Sequence, residues 1–115
     1  MRRQQRLRRR QDFAAVYRTG KVYAAGPLVL RVQQNPDTPV PRFGFAVGKR
    51  LGGAVVRNRL KRRLREAARL SGARGTADVV VIARAPARHA SYQELERTLR
   101  SLLRRAGMVL EEEEA

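Results

Sequence analysis

The densest group of chemically active side chains lies between Lys49 and Arg65. Eight of these 17 residues are basic and none is acidic. Arginine guanidinium groups suit phosphate oxygens because they can donate two parallel hydrogen bonds to them. A run of this kind indicates a surface that binds a polyanion through its phosphates.

The same segment has the periodicity of an amphipathic helix over roughly residues 54–70. Its apolar residues recur at helical spacing, at Val56, Leu60, Leu64 and Ala67. Polar and basic residues form three rows around the rest of the helix. The row beside the stripe holds Arg57, Lys61 and Arg65, the next holds Asn58, Arg62 and Arg69, and the far side holds Arg59 and Arg63. Like charges four residues apart destabilise a helix, and a merely solvated face would interleave Glu with Lys. The pattern therefore favours a phosphate-binding helix.

Two glycines, Gly52 and Gly53, precede this helix. They could let backbone amide groups approach a phosphate at the positive helix end, and Asn58 adds both donors and acceptors. Two glycines that merely turn a strand into a helix explain the pair equally well. The pair alone does not decide between a binding role and a structural one.

Charge identifies the class of partner. The chain has 26 Lys and Arg against ten Asp and Glu, a net charge of +16. Four acids form the terminal run Glu111–Glu114, so residues 1–110 carry 26 basic and six acidic residues, or +20. Nucleic acid is the first candidate partner, because its phosphates would relieve this self-repulsion. An anionic membrane is the second candidate. A helix that binds a membrane surface carries large apolar residues opposite its basic face, and in this chain those residues are needed for the core.

Length and composition exclude several classes of protein. The 115 residues suffice for one domain, which we place at 1–110 with an acidic tail at 111–115. No apolar run is long enough to span a membrane, and no apolar segment of a signal peptide follows the arginine-rich start. We therefore expect a cytoplasmic protein. Without cysteine, disulfides and thiolate metal sites are excluded.

The remaining pattern predicts the elements that must position the basic helix. Residues 1–10 hold six arginines and one aliphatic residue, which predicts a flexible basic arm. A short helix follows to Thr19, then strands near residues 28–32, 42–48 and 79–83, the last apolar enough to be buried on both faces. Ser91 and Glu94 form a capping box for a final helix that ends at Gly107. The order predicts an α+β fold of one sheet packed with helices.

Two aromatic residues, Phe13 and Tyr17, share one face of the first helix. Aromatic rings can stack on unpaired bases, and the strand face that carries Gly44 and Ala46 is nearly bare, which leaves room for a strand of RNA. From periodicity alone, the simpler explanation is that both rings pin the helix onto the core.

Several of these segments together carry a family resemblance. Residues 42–50, followed by 54–66 with Arg57-Asn58-Arg59 at its centre, resemble the signature of the bacterial ribonuclease P protein family. The similarity covers most of the chain, including Leu7, residues 12–20, 78–84 and 92–104.

The resemblance implies a mixed sheet of about four strands with three helices and a left-handed strand-helix-strand crossover. It implies that the chain is the non-catalytic protein subunit of an endoribonuclease. The protein would be a monomer that forms a 1:1 complex with a catalytic RNA. That RNA would hydrolyse precursor tRNA to remove the 5′ leader, using Mg²⁺ that the RNA mainly holds. By carry-over, the residues implied to contact the RNA subunit are Lys49, Arg50, Arg57, Asn58, Arg59, Lys61, Arg62 and Arg65. Those implied to contact the leader are Phe13, Tyr17 and Arg31.

Two other functions compete with this interpretation, and the residues leave the first of them open. A ribosomal or other general RNA-binding protein would share the charge and composition. A self-sufficient nuclease would need a general base or clustered carboxylates, yet His89 is the only histidine, and Asp78 and Glu94 nearby in sequence lack ligand spacing. We therefore expect no catalytic residue in the protein.

Overall fold

Three helices and four strands follow one another in residues 5–110, the part of the chain that the computed structural model describes. They are α1 (Arg10–Thr19), β1 (Lys21–Ala25), β2 (Leu28–Gln34), β3 (Arg42–Ala46), α2 (Ala54–Leu70), β4 (Ala77–Ala83) and α3 (Tyr92–Arg105). Short 3₁₀ helices lie at Lys49–Leu51 and Ala85–His89. The first four residues of the predicted arm and the whole acidic tail at 111–115 lie outside the described residues.

The four strands form one mixed sheet in the order β1-β2-β4-β3. β2 runs antiparallel to both of its neighbours, whereas β3 and β4 are parallel. Parallel neighbours need a crossover connection, and α2 supplies it. The predicted α+β architecture is confirmed.

The main core lies between one sheet face and the helices α2 and α3. Apolar residues at alternate positions of the strands meet the buried stripes of the two helices. The strand side chains include Leu28, Leu30, Val32, Phe43, Val79 and Val81, and the helix side chains include Leu60, Leu64, Leu95, Leu99, Leu102 and Leu103. α3 begins as predicted, because the Ser91 side chain accepts a hydrogen bond from the Glu94 amide at 3.0 Å.

A smaller cluster on the opposite sheet face holds α1. Val16 of α1, Leu7 and Val80 are buried together there, with Phe13 packed against them. Since Val79 and Val81 face the main core, β4 is buried on both sides, which confirms the prediction made from its continuous apolar run.

Residues 6 and 7 correct, for their own part of the chain, the prediction of a flexible arm over residues 1–10. Arg6 pairs with Phe43 beside β3, and the Leu7 amide donates to the Phe43 carbonyl at 2.8 Å. Leu7 is buried in the cluster under α1. One aliphatic side chain in a basic stretch is enough to anchor it when an open strand edge and an apolar recess are both available.

Phe13 corrects the prediction that the second face of β3 is nearly bare. A Cβ atom added to Gly44 would lie 2.4 Å from Phe13 Cζ and 3.2 Å from Leu7 Cβ. The ring therefore occupies the space that the missing side chain leaves. Phe13 pins α1 onto the sheet, as the periodicity suggested.

The end of the sheet near α1 is fastened by an ion pair. Arg42 donates two hydrogen bonds of 2.8 Å to the two carboxylate oxygens of Asp78, one from Nε and one from Nη2. Asn35 Nδ2 donates to the same carboxylate at 3.0 Å, and Asp12 of α1 lies 3.9 Å from Arg42. The hydrogen bond to Asp78 raises the pKa of Arg42 above its ordinary value. The pair joins β3, β4 and the loop after β2.

Replacing Asp78 by Asn should destabilise the protein by about 2 kcal/mol, because Arg42 loses its charged acceptor while Asp78 is only 7% exposed. Urea unfolding measures this change. The matched control is Asp37→Asn on the exposed loop, where we expect a change within about 0.5 kcal/mol. Equal effects of the two substitutions would contradict a fastening role for the pair.

Replacing Gly44 by Ala should cost roughly 1 to 3 kcal/mol, because the new methyl group overlaps the Phe13 ring. In a Phe13→Ala background the same substitution should cost much less, since the ring is gone. A double-mutant cycle by urea unfolding measures the difference. Gly48→Ala is the control, because a Cβ there meets nothing within 4 Å. An unchanged cost of Gly44→Ala in both backgrounds would show that the ring does not occupy this space.

Candidate nucleic-acid interface

Helix α2 presents a cationic surface over most of its circumference. Its bounds, Ala54–Leu70, agree with the sequence prediction. Leu60, Leu64, Ala67 and Ala68 are buried against the core. Among the described residues its one acid, Glu66, pairs with Arg69, and the other basic residues of the helix form no ion pair. Their charge is therefore available to an external anion.

The basic residues of α2 differ in depth. Arg57, Lys61 and Arg65 lie half-buried along the edge of the helix that faces the sheet, whereas Asn58, Arg59, Arg62 and Arg63 are exposed. Burial, with the nearby charges of Arg6 and Arg62, lowers the pKa of Arg65 below its ordinary value. All eight residues carried over for the RNA subunit thus lie on α2 or the loop before it.

The loop between β3 and α2 extends this cationic surface. Leu51 is buried and holds the turn, while Lys49 and Arg50 are exposed. Gly52 has φ +140, which side chains rarely adopt, so this glycine is required by the turn. Gly53 gives α2 no side-chain cap, and the first turn of the helix contains no acid. The positive end of α2 therefore adds to the charge of Lys49 and Arg50.

Tyr17 lies beside Phe13 on α1 but is placed differently. Its side chain is 40% exposed. The guanidinium of Arg31 lies 5.3 Å from the Tyr17 ring centre, and Arg31 Nη1 donates to the Tyr17 carbonyl at 3.0 Å. Arg31 therefore steadies an exposed ring through a cation–π contact and a hydrogen bond. The three residues carried over for the leader lie together on this side of the sheet.

Beyond α1, the same sheet face continues as a shallow apolar floor. The strand register places Ala24, Val29, Ile82 and Ala46 in one row across all four strands. Val29, Ile82 and Ala46 are only half-buried. Their side chains therefore remain partly accessible on the sheet face that also holds α1. We call this row, with Phe13, Tyr17 and Arg31, the cleft.

A cationic recess of about 230 Å³ lies between the first helix, β3 and α2. Its apolar lining includes Phe13 and Gly44. Its charged lining comes from Arg6, Arg8, Lys61 and Arg65. The recess therefore places Phe13 and the basic residues of α2 at one site.

Sequence reasoning missed Arg6 and Arg8 as parts of this site, because the arm was predicted to be flexible. The signal was the alternation of Arg6, Leu7 and Arg8, which places two charges on one side of an extended segment and an apolar group on the other. The other arginines among residues 1–10, which hold six in all, hid this short pattern.

The described residues offer no cluster that could hold a metal ion through three His, Asp or Glu side chains. His89 is exposed at the end of the 3₁₀ helix after β4. No helix between residues 5 and 110 is both long and apolar enough to cross a membrane. The chemistry that the described side chains support is the binding of anions and aromatic bases.

Comparison with known proteins gives matches along nearly the whole chain. The family model described as Ribonuclease P matches residues 1–107. The ribonuclease P protein component of Roseiflexus castenholzii is 45% identical over 113 residues, which cover 95% of this chain and 91% of that protein. That of Symbiobacterium thermophilum is 44% identical over 115 residues, 97% of this chain and 99% of that protein.

Solved structures show the same fold. The ribonuclease P protein of Staphylococcus aureus superposes with a TM-score of 0.83 at 30% identity, covering 92% of this chain and 98% of that one. The protein from Thermotoga maritima gives a TM-score of 0.79 at 31% identity, over 87% of this chain and 96% of that one.

Proposed function

Because the chain belongs to the ribonuclease P protein family, we propose that it helps a catalytic RNA remove the 5′ leader from precursor tRNA. The structural observation that supports this proposal is the recess that joins two unlike surfaces. One is the cationic surface of α2, and the other is the cleft with its exposed aromatic ring. A protein that must touch an enzyme RNA and a single-stranded leader needs both.

The RNA subunit binds to α2 and the loop before it in this proposal. Guanidinium groups without acid partners among the described residues exchange water and counterions for phosphates, which drives binding at low salt. Structured RNA presents its backbone as rows of phosphates, and a straight helix with basic residues on several sides can meet them. The assigned contacts are Lys49, Arg50, Arg57, Asn58, Arg59, Lys61, Arg62 and Arg65.

The leader lies in the cleft. Tyr17 offers an exposed ring for base stacking, and Arg31 holds that ring while adding a positive charge for the backbone. Phe13 is half-buried over Gly44 and shapes the wall of the cleft. Stacking accepts any base, so such a site can serve leaders of different sequence.

The protein side chains bind and orient RNA, and the RNA subunit carries out the hydrolysis. Mg²⁺, held mainly by that RNA, supplies the activation of water for attack on the phosphodiester. The protein lowers the repulsion between two RNA molecules by placing cations between them. We assign one protein monomer to each RNA subunit, in the cytoplasm where tRNA precursors are processed.

Addition of this protein should stimulate cleavage of a precursor tRNA by a bacterial ribonuclease P RNA at low, near-physiological Mg²⁺. The physical reason is that protein cations replace Mg²⁺ in screening the RNA phosphates. The measurement is single-turnover cleavage with and without protein, scored for a mature 5′-phosphate end. Tight RNA binding without stimulation would favour a general RNA-binding protein, and cleavage by the protein alone would show a self-sufficient nuclease.

Replacing Tyr17 by Ala should weaken binding of leader-bearing precursor tRNA about tenfold, because one base loses its stacking partner. Binding of mature tRNA to the same ribonucleoprotein should stay unchanged. Tyr17→Phe is the matched control, since it keeps the ring and should bind like the wild type. Equal losses on precursor and mature tRNA would contradict the assignment of the cleft to the leader.

A further inference from the structure

A pocket of about 400 Å³ lies at the corner of the sheet where β1 begins and β2 ends, next to the end of α3. Its volume falls within the range of about 300 to 1,000 Å³ that is typical of small-ligand sites. The lining includes Lys21 and Tyr23 of β1, Val32 and Gln34 of β2, and Ala106 after α3. None of these residues belongs to α2, to the loop before it or to the cleft, so the proposed function leaves this pocket unused.

The strand register explains how the pocket forms. Lys21 and Tyr23 occupy alternate positions of β1, and Val32, the partner of Lys21, lies on the same face of the sheet. That face holds the main core, whereas the cleft lies on the opposite face. α3 ends at Arg105, and Lys21 is exposed beyond that end. The pocket is therefore the space that remains between the sheet and the last turn of the helix.

The apolar part of the lining suits a flat aromatic ligand. Val32 is buried, and Tyr23 and Ala106 are half-buried. Arg105 holds the Tyr23 ring, because its guanidinium lies 5.9 Å from the ring centre while its Nη1 donates to the Ala24 carbonyl at 3.0 Å. A ring that is already fixed loses little freedom when a base stacks on it.

The polar part of the lining offers an amide and a positive charge. The Gln34 side chain forms no hydrogen bond with any described residue, and Lys21 forms no ion pair among them. An amide donates one hydrogen bond and accepts another side by side, which matches the neighbouring amine and ring nitrogen of adenine. Guanine presents two acceptors at the same edge, so an amide can satisfy only one of them.

We propose that this pocket binds one unpaired adenine nucleotide of RNA. The base stacks on Tyr23 with its edge at the Gln34 amide, and its phosphate lies at Lys21. A free adenine mononucleotide has the same chemistry, but RNA is the better ligand because the strong positive charge of the protein attracts a polymer of phosphates. The inference goes beyond the proposed function and does not rest on it, since the ligand would bind the protein alone.

The test is titration of the full chain with penta-adenylate, penta-uridylate or adenosine 5′-monophosphate, followed by NMR at the backbone amides of Tyr23 and Val32. The chain carries Tyr17→Ala, so that stacking in the cleft does not compete. We expect penta-adenylate to shift both amides and to bind about five- to tenfold more tightly than penta-uridylate. Equal affinity of the two polymers, or no shift at these amides, would overturn the proposal. Equal affinity of the monophosphate and penta-adenylate would overturn the assignment to RNA.

Two variants locate the binding site within the chain. Gln34→Ala should weaken binding of penta-adenylate about five- to tenfold and leave penta-uridylate unchanged. Gln93→Ala is the matched control, because Gln93 is an exposed glutamine of α3 that does not line the pocket. Ala106→Leu fills the pocket without altering charge and should abolish the shifts at Tyr23 and Val32, with urea unfolding as the check that the variant is folded. Equal losses in Gln34→Ala and Gln93→Ala, or unchanged binding in folded Ala106→Leu, would contradict the site.

These measurements use the protein without the RNA subunit, so the inference and the proposed function can fail separately. A protein that binds penta-adenylate in the pocket but does not stimulate cleavage retains the inference and loses the proposed function. A protein that stimulates cleavage, but whose Tyr23 and Val32 amides do not respond to penta-adenylate, retains the proposed function and loses the inference.

Discussion

Mutual repulsion among cations is the constraint on which the rest of this structure depends. Residues 1–110 carry a net charge of +20, and few ion pairs among the described residues offset the repulsion. The fold must therefore be held by apolar packing, chiefly the leucines of α3 and the valines of β4. Among the described residues, the most enclosed ion pair, Arg42 and Asp78, fastens the sheet rather than the cationic surface of α2. Apart from Arg69, the basic residues of α2 have no acid partner in the described part of the chain, so their charge is available to a polyanion.

Local pattern was enough to predict much of the fold. The bounds of α2 and the Ser91 cap of α3 follow from helical spacing and capping chemistry, which involve residues a few positions apart. The central position of β4 follows from its continuous apolar run. β1 could not be found in this way, because Lys21–Ala25 has little apolar alternation and owes its place to pairing with β2. Likewise, β3 ends two residues before the predicted limit.

The candidate site depended more on contacts between distant residues. The basic face of α2 could be predicted from the sequence, because its residues all lie on one helix. Two features were not: the pairing of Leu7 and Arg6 with β3, and the Phe13 ring over Gly44. Each joins segments more than 25 residues apart. Arg31 is an intermediate case, since the resemblance pointed to its strand but only the structure shows its contact with Tyr17.

The pairing of Arg6 with Phe43 has a consequence for solubility. A sheet with two free edges invites association with other chains, and a protein rich in β-forming residues risks aggregation before it meets its partner. Here the segment around Leu7 covers part of the β3 edge. At the other edge, Arg105 Nη1 donates to the Ala24 carbonyl of β1 at 3.0 Å. Basic segments therefore cover backbone groups at both edge strands of the sheet. Their charge repels a second copy of the chain and still attracts RNA.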